Sequence, residues 1–283
     1  MSLTITLNVF SGRPNPVWTV PEEGVAELRD RVDRITTTSD LKAASLGSLG
    51  YRGFTVVGSD HGVGPTQFNA GIVDHGQTIP SLVAGDREIE KFLLSTAGAH
   101  VSDEVKAHVT ESLATPVASA VTMAAPAPVH CPVCHAADAP VYNPGIWNTP
   151  SVQPHNNCYN YANNRITNTF AQPGRATGHP YTALTCPAVT AAAHSDGLVV
   201  APNFAAPLAA GHGWYVALVI WPGHDYHWYR QDKVGCWSHK PGGTAARNYD
   251  NANHAIADPK TCNRGPYTAF CTYMITKSSV HIR

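Results

Sequence analysis

The sequence predicts an α+β protein in two parts: a small β-α-β-β-α module over residues 1–112, a linker over 113–129, and a domain over 130–283 in which a cysteine-bearing helix packs on an antiparallel sheet. Three observations lead there. In the N-terminal part, short runs with strand patterning alternate with amphipathic helical runs. The stretch ATPVASAVTMAAPAPV then interrupts both periodicities, as a linker does. Beyond it a helical segment is followed by closely spaced apolar runs of strand length.

Taken in order, LTITLNVF at 3–10 reads as a strand and SGRPNPVW as a turn bearing two prolines. PEEGVAELRDRVDRI follows as a helix, with Pro21 at its first position, acids in its first turn and Val25, Leu28, Val32 and Ile35 at helical spacing. GYRGFTVVG and FNAGIVDHG read as strands and DREIEKFLLSTA as an amphipathic helix. In the second part, HCPVCHAADAPVYNPGIWNTP is a loop. The asparagines of HNNCYNYANN offer N-caps to a helix that starts at Cys158. TALTCPAVTAAAHSDG is a second helix, with Pro187 in its first turn and Gly197 as its stop. HGWYVALVIWPG, DYHWYRQDKV and GCWSHKPGG are three strands, the last two joined by a tight turn at Val234–Gly235.

Composition narrows the chemistry. The chain of 283 residues is 43% hydrophobic, enough for packed cores, and its longest apolar run, WYVALVIW, has strand rather than bilayer length. No membrane span is expected. The start, MSLTITLNVFSGRPNP, shows none of the features of a signal peptide, while the seven cysteines favour an extracellular or periplasmic setting. Lys and Arg number 9 against 14 Asp and Glu over 1–112, and 10 against 6 over 113–283. That mild excess without a basic run argues against a nucleic-acid partner. No glutamate occurs after Glu111, so the second part cannot carry a Glu-based zinc protease motif, an EF-hand ending in Glu or a glutamate pair for glycoside hydrolysis.

What remains is Cys, His, Asp and Asn. A cysteine at a helix start meets the positive end of the helix, which favours thiolate. Cys158 is so placed, and His227 and His239 lie on consecutive strands of the expected hairpin. A cysteine hydrolase needs a nucleophile, a base and a group that orients the base, which Cys158, His227 and His239 would supply in that order. The backbone N–H of Cys158, with Asn156 or Asn157, would hold the oxyanion. HNNCYNYANN and HWYRQDKVGCWSH together resemble the NlpC-type papain-like cysteine peptidases, with Trp228 where that family carries a small residue. The resemblance covers roughly residues 150–242 and implies a papain-like domain acting on a peptide, including a cell-wall stem peptide, through an acyl-enzyme. Asn248 or Asp250 is the substitute third group if the orienting residue is an amide or an acid, as in other papain-like enzymes.

Two further signals compete. CPVCH offers Cys131, Cys134 and His135 as half a zinc site, with His130 in reserve, as a c-type haem attachment, or as a disulfide staple; no other cofactor is expected. The six cysteines other than Cys158 allow three disulfides, with Cys262–Cys271 the expected pair and Cys186 a core thiol. The aromatic run GWYVALVIWPGHDYHWYRQD reads first as core, second as a sugar-stacking cleft. In the N-terminal module, Arg13 and Trp18 are the contact-ready residues of a binding or delivery domain, and Trp228 is a further candidate binding residue in the second domain. The competing functions are thus a disulfide-stapled extracellular carbohydrate-binding or matrix protein without catalysis, and a metal or haem carrier. Oligomeric state has no signature in the sequence.

Overall fold

The computed structural model describes residues 2–33, 37–40, 49–58, 66–69, 72–74, 81–83, 87–114 and 130–283. It is an α+β structure with antiparallel sheets, as the sequence predicts. Two compact units partition it: residues 1–9, 15–46 and 51–124 form the first, and residues 10–14, 47–50 and 125–283 the second. The linker from residue 115 to 129 lies outside the described residues.

The first unit holds a seven-stranded antiparallel sheet built from β1 (Leu3–Leu7), β2 (Val17–Val20), β3 (Thr37–Asp40), β4 (Phe54–Gly58), β5 (Thr66–Asn69), β6 (Ile72–Asp74) and β7 (Ser81–Val83), in the order β2-β1-β4-β5-β6-β7-β3. Helices α1 (Glu22–Asp33), α2 (Glu88–Ser95) and α3 (Asp103–Leu113) accompany it. The unit is richer in strands than β-α-β-β-α. Val17 and Trp18, read as part of a turn, begin β2, because the prolines at 14 and 16 end before the alternating exposed-buried run starts. FNAGIVDHG is not one strand but holds two, β5 and β6, which pair antiparallel with Asn69 opposite Ile72. Val25 and Leu28 of α1 are buried, while Ile35 lies outside the described residues. Helix α3 carries signals that periodicity alone had not picked out: Ser102 caps it by accepting from the Val105 N–H, and Asp103 and Glu104 fill its first turn.

The second unit carries a five-stranded antiparallel sheet of β8 (Val199–Ala201), β9 (Trp214–Trp221), β10 (Asp225–Gln231), β11 (Trp237–His239) and β12 (Ala269–Thr276), in the order β11-β10-β9-β12-β8. Every residue of β9, β10 and β11 is buried, so these strands are covered on both faces. Helix α4 (Pro144–Trp147) precedes α5 (Cys158–Ala162), which packs on β10, and α6 (Cys186–Ser195), which packs on β12 and β9. Pro187 sits in the first turn of α6, and Gly197 takes φ +104° beyond its end, the left-handed stop that glycine allows. Gly213 enters β9 at φ +90°, where a Cβ would lie 1.8 Å from the Thr276 carbonyl oxygen.

Two disulfides staple this unit: Cys131–Cys236 and Cys186–Cys271. Neither matches the expected Cys262–Cys271 pair. Cys186 is not a core thiol, because the start of α6 meets β12 at Cys271, and Cys262 stays a thiol. No helix among the described residues is long and apolar enough to cross a membrane.

Candidate functional site

Helix α5 begins with a complete capping box. The Asn157 side-chain oxygen accepts from the Tyr159 and Asn160 N–H groups at 3.0 and 3.1 Å, and the Asn160 side-chain oxygen accepts from the Asn157 N–H at 3.2 Å. This reciprocal pair fixes where the helix starts and sets Cys158 as its first residue, with 0% of its surface exposed. The amide nitrogen of Asn157 donates to the carbonyls of Gly12 and Ala171 at 2.7 and 2.8 Å, and that of Asn156 donates to Val152 O and the Asn168 side chain. Both amides therefore have both N–H groups spent. Neither fits the oxyanion role expected of it.

The β10–β11 register places His239 opposite Tyr229, diagonally across from His227. The two imidazoles meet at 2.8 Å, His227 Nε2 to His239 Nδ1. His239 lies stacked on Tyr229 and its Nε2 is 3.1 Å from the Tyr249 carbonyl oxygen. A carbonyl can only accept, so His239 Nε2 carries a proton. With both rings neutral, His239 Nδ1 then accepts from His227 Nε2–H, and His227 Nδ1 accepts from the Ser11 hydroxyl at 2.5 Å. The Ser11 oxygen in turn accepts from the Gly242 N–H at 3.2 Å. The chain of donors closes on backbone at one end.

Ser11 comes from the segment Phe10–Pro14, which belongs to the second unit. Its docking partner is Asp225, at the start of β10. That fully buried carboxylate accepts from the backbone N–H groups of Ser11 at 2.5 Å, Gly12 at 3.2 Å and Arg13 at 3.1 Å, and from the Tyr267 hydroxyl at 2.5 Å. Burial pushes the Asp225 carboxyl above the usual range while those donors pull it down. The Gly12 carbonyl receives Asn157, Gln172 and Tyr226. A Cβ on Gly12 would stand 2.4 Å from the Tyr226 ring, so only glycine lets the segment lie this close.

Cys158 shares this environment. Burial, and after it the Asp225 charge, pushes its thiol up to about 12, against smaller opposing contributions from the Trp228 N–H, the Ser11 hydroxyl and Lys240. The expected activation by a helix start is absent because α5 is five residues long and the sulfur is sealed from water. Lys240 is itself buried and donates to the carbonyls of Gln153, Asn156 and Gly242 at 2.6, 2.5 and 2.8 Å. Thus Cys158, His227 and His239 sit in one buried polar cluster whose members Ser11, Asp225, Lys240 and Tyr267 had no distinguishing signal in the sequence. The nearest to one is Asp225, two residues before His227 and so on the same face of the strand.

Other expected residues fall elsewhere. Asp250 accepts from the N–H groups of Ala252, His254 and Asn263 and organises a loop, and Asn248 is exposed, so neither replaces His239 beside His227. Trp228 is not a binding residue: it is fully buried against Tyr159. Trp18 is core too, donating its indole N–H to Thr96 Oγ1 at 2.9 Å. Arg13 lies over the Phe10 ring. The tyrosines and tryptophans of β9 and β10 are all buried, which leaves no stacking platform for a sugar. The metal reading of CPVCH fails because Cys131 is spent in a disulfide with Cys236, His135 is exposed, and the described residues contain no group of three or more His, Cys, Asp or Glu placed to hold a metal.

Over 133 residues the chain is 49% identical to insoluble matrix shell protein 1 of Ruditapes philippinarum, a match covering 47% of this chain and 87% of that protein. The chain belongs to that family. No family model matches it, and no solved structure does. Membership in a shell-matrix family overturns the hydrolase expectation: the relative is named for a matrix, not for a peptidase. Disulfides together with a shell-matrix relative fit an extracellular location.

Proposed function

We propose that this protein is an extracellular structural component of an insoluble matrix, stapled by disulfides and without catalytic turnover. The observation that carries the reading is the 49% identity to a protein named for an insoluble shell matrix. Its physical support is the way the second unit spends its polar groups. The buried hydroxyl, carboxylate, ammonium and imidazoles bond to one another or to backbone, which rigidifies a core. Two disulfides spanning 105 and 85 residues remove freedom from the unfolded chain, as suits a protein that must persist outside cells. Contacts to the matrix run through protein surface rather than through stacked aromatic rings, since the rings of β9 and β10 are inside.

Sequential extraction of the extracellular material tests this. The protein should resist salt and non-ionic detergent and dissolve only in denaturant with reductant, and the purified protein should leave peptide and amide substrates intact. Complete recovery in the salt extract would refute the matrix role. Turnover that disappears in Cys158→Ala would refute the absence of catalysis.

A further inference from the structure

Three of the seven cysteines share one corner of the second unit. Cys131 and Cys236 are bonded, and Cys134, three residues after Cys131, is a half-buried free thiol. The corner is tight. Gly235, in the turn joining β10 to β11, takes φ +95°, and a Cβ there would lie 1.6 Å from the Pro132 carbonyl oxygen and 3.3 Å from the Cys134 nitrogen. The backbone of 132–134 therefore lies directly on the residue before Cys236. Cys134 is thus close to one disulfide cysteine through space and to the other along the chain. Among the described residues its thiol makes a long contact, 3.7 Å, with the Ala136 carbonyl.

We propose that Cys131, Cys134 and Cys236 form an exchangeable disulfide cluster, in which Cys134 displaces Cys236 from Cys131. The Cys134 thiolate attacks Cys131 Sγ. The Cys131–Cys134 bond forms as the Cys131–Cys236 bond breaks, the bonding pair leaves with Cys236 Sγ, and Cys236 takes up the proton that Cys134 gave up. One disulfide and one thiol stand on each side, so no oxidant or reductant is consumed. The product is a disulfide across C-x-x-C, a spacing used by thiol–disulfide pairs.

The surroundings let the exchange stay local. Residues 130–135 form neither helix nor strand, and Val133 and Val234 on either side of the junction are 70% and 69% exposed. The turn keeps its own bonds, Asp232 N–H to Cys236 O and Gly235 N–H to Asp232 O. The loop keeps a second attachment through the Lys233 N–H to Pro140 O and the Lys233 ammonium to Ala137 O. Exchange would therefore unlock the hairpin tip without dissolving the sheet, and would present a new thiol at Cys236. The inference concerns this corner alone and stands whether or not the protein is a matrix component.

The test uses the full-length oxidised protein, incubated at pH 8 without reductant, quenched with acid, alkylated and mapped as non-reduced peptides. Both Cys131–Cys236 and Cys131–Cys134 peptides are expected, since exchange needs only a thiol and a nearby disulfide. Cys134→Ser should show Cys131–Cys236 alone. Cys236→Ser, refolded with oxidised glutathione, should close Cys131–Cys134. Amide exchange around residues 232–237 should be faster in the exchanged form and unchanged in Cys134→Ser. A native protein that keeps Cys131–Cys236 alone would overturn the proposal. So would Cys134–Cys236 as the alternative bond, or a Cys236→Ser variant that holds glutathione on Cys134 instead of closing the ring.

Discussion

Iodoacetamide offered to the native protein at pH 8 should leave Cys158 untouched. A thiol held at about 12 is only about one part in ten thousand thiolate at that pH, against about a quarter for an ordinary thiol near 8.5. The higher basicity of its thiolate returns part of the rate, about 40-fold for a Brønsted slope near 0.45, so ionisation alone slows alkylation by about 60-fold. Access adds more. The sulfur has no exposed surface, so the reagent must wait for an opening of the Ser11–Asp225–Tyr267 cluster around it. If that opening costs about 5 kcal/mol, the open fraction is about 2 in 10,000; because opening also returns the thiol to water and to ordinary ionisation, the slowing is then set by that fraction, about 5,000-fold. Cys262, also pushed up to about 12 by burial but partly exposed, should react slowly, and half-exposed Cys134 first. Timed quenching and peptide mass spectrometry read the three rates separately, with urea-unfolded protein as the reference. Alkylation of Cys158 in the native state at a rate equal to or above that in urea would refute both the burial and the ionisation argument.

The same thiol gives stability a pH dependence. Its folded pKa is raised, so its contribution is present below about 8.5 and lost as pH rises toward about 12; relative to Cys158→Ser, the wild type should lose about 2 kcal/mol between pH 7 and 10, and an unchanged difference in urea unfolding would contradict this. Asp225→Ala strands three backbone N–H groups and the Tyr267 hydroxyl, which should cost at least about 3 kcal/mol by chemical denaturation, with Asp225→Asn milder; a loss under about 1 kcal/mol would mean water replaces the carboxylate. Cys186→Ser opens a disulfide spanning 85 residues and should lower stability by up to about 4.6 kcal/mol, read as a drop in melting temperature with the sheet retained on cooling. Gly213→Ala forces a Cβ against the Thr276 carbonyl at a positive φ and should cost more than about 2 kcal/mol, whereas Gly211→Ala meets nothing within 4 Å and should cost less.

Local patterns carried much of the fold. WYVALVIW and DYHWYRQ became β9 and β10, and the asparagines before Cys158 became a capping box, because strand length and cap chemistry are written within a few residues. Strand β2 and the β5–β6 pair were less legible, since each is a short run whose pattern is only a few residues long. The histidine pair followed from hairpin register, which a turn largely fixes. Its neighbours did not. Ser11 reaches His227 across 216 positions and Lys240 reaches Asn156 across 84, separations over which one sequence carries no pairing signal. Disulfide connectivity fails to show for the same reason: Cys262 and Cys271 are near in sequence, but Cys271 lies on β12, which faces α6 and Cys186. At the start of α5 desolvation outweighs the helix dipole, so the Cys158 thiol is pushed up rather than down, an effect that depends on burial and is not written in the local sequence.

The placement of Phe10–Pro14 sets a timetable for synthesis. Ser11, Gly12 and Arg13 are made long before their acceptor: Asp225 is 212 to 214 positions later and Tyr267 later still. At about 5–20 residues per second a ribosome needs about 10–40 s to bring Asp225 out after Ser11. Through that interval the segment stays without this acceptor, and the first unit, which ends at residue 124, is synthesised before the acceptor arrives. Residues 130–283 expressed alone never receive it, and would carry Asp225 with Tyr267 as its remaining donor from this set. A cut at the linker therefore yields one piece whose core lacks its keystone, and restoring it calls for a short N-terminal peptide supplied in trans.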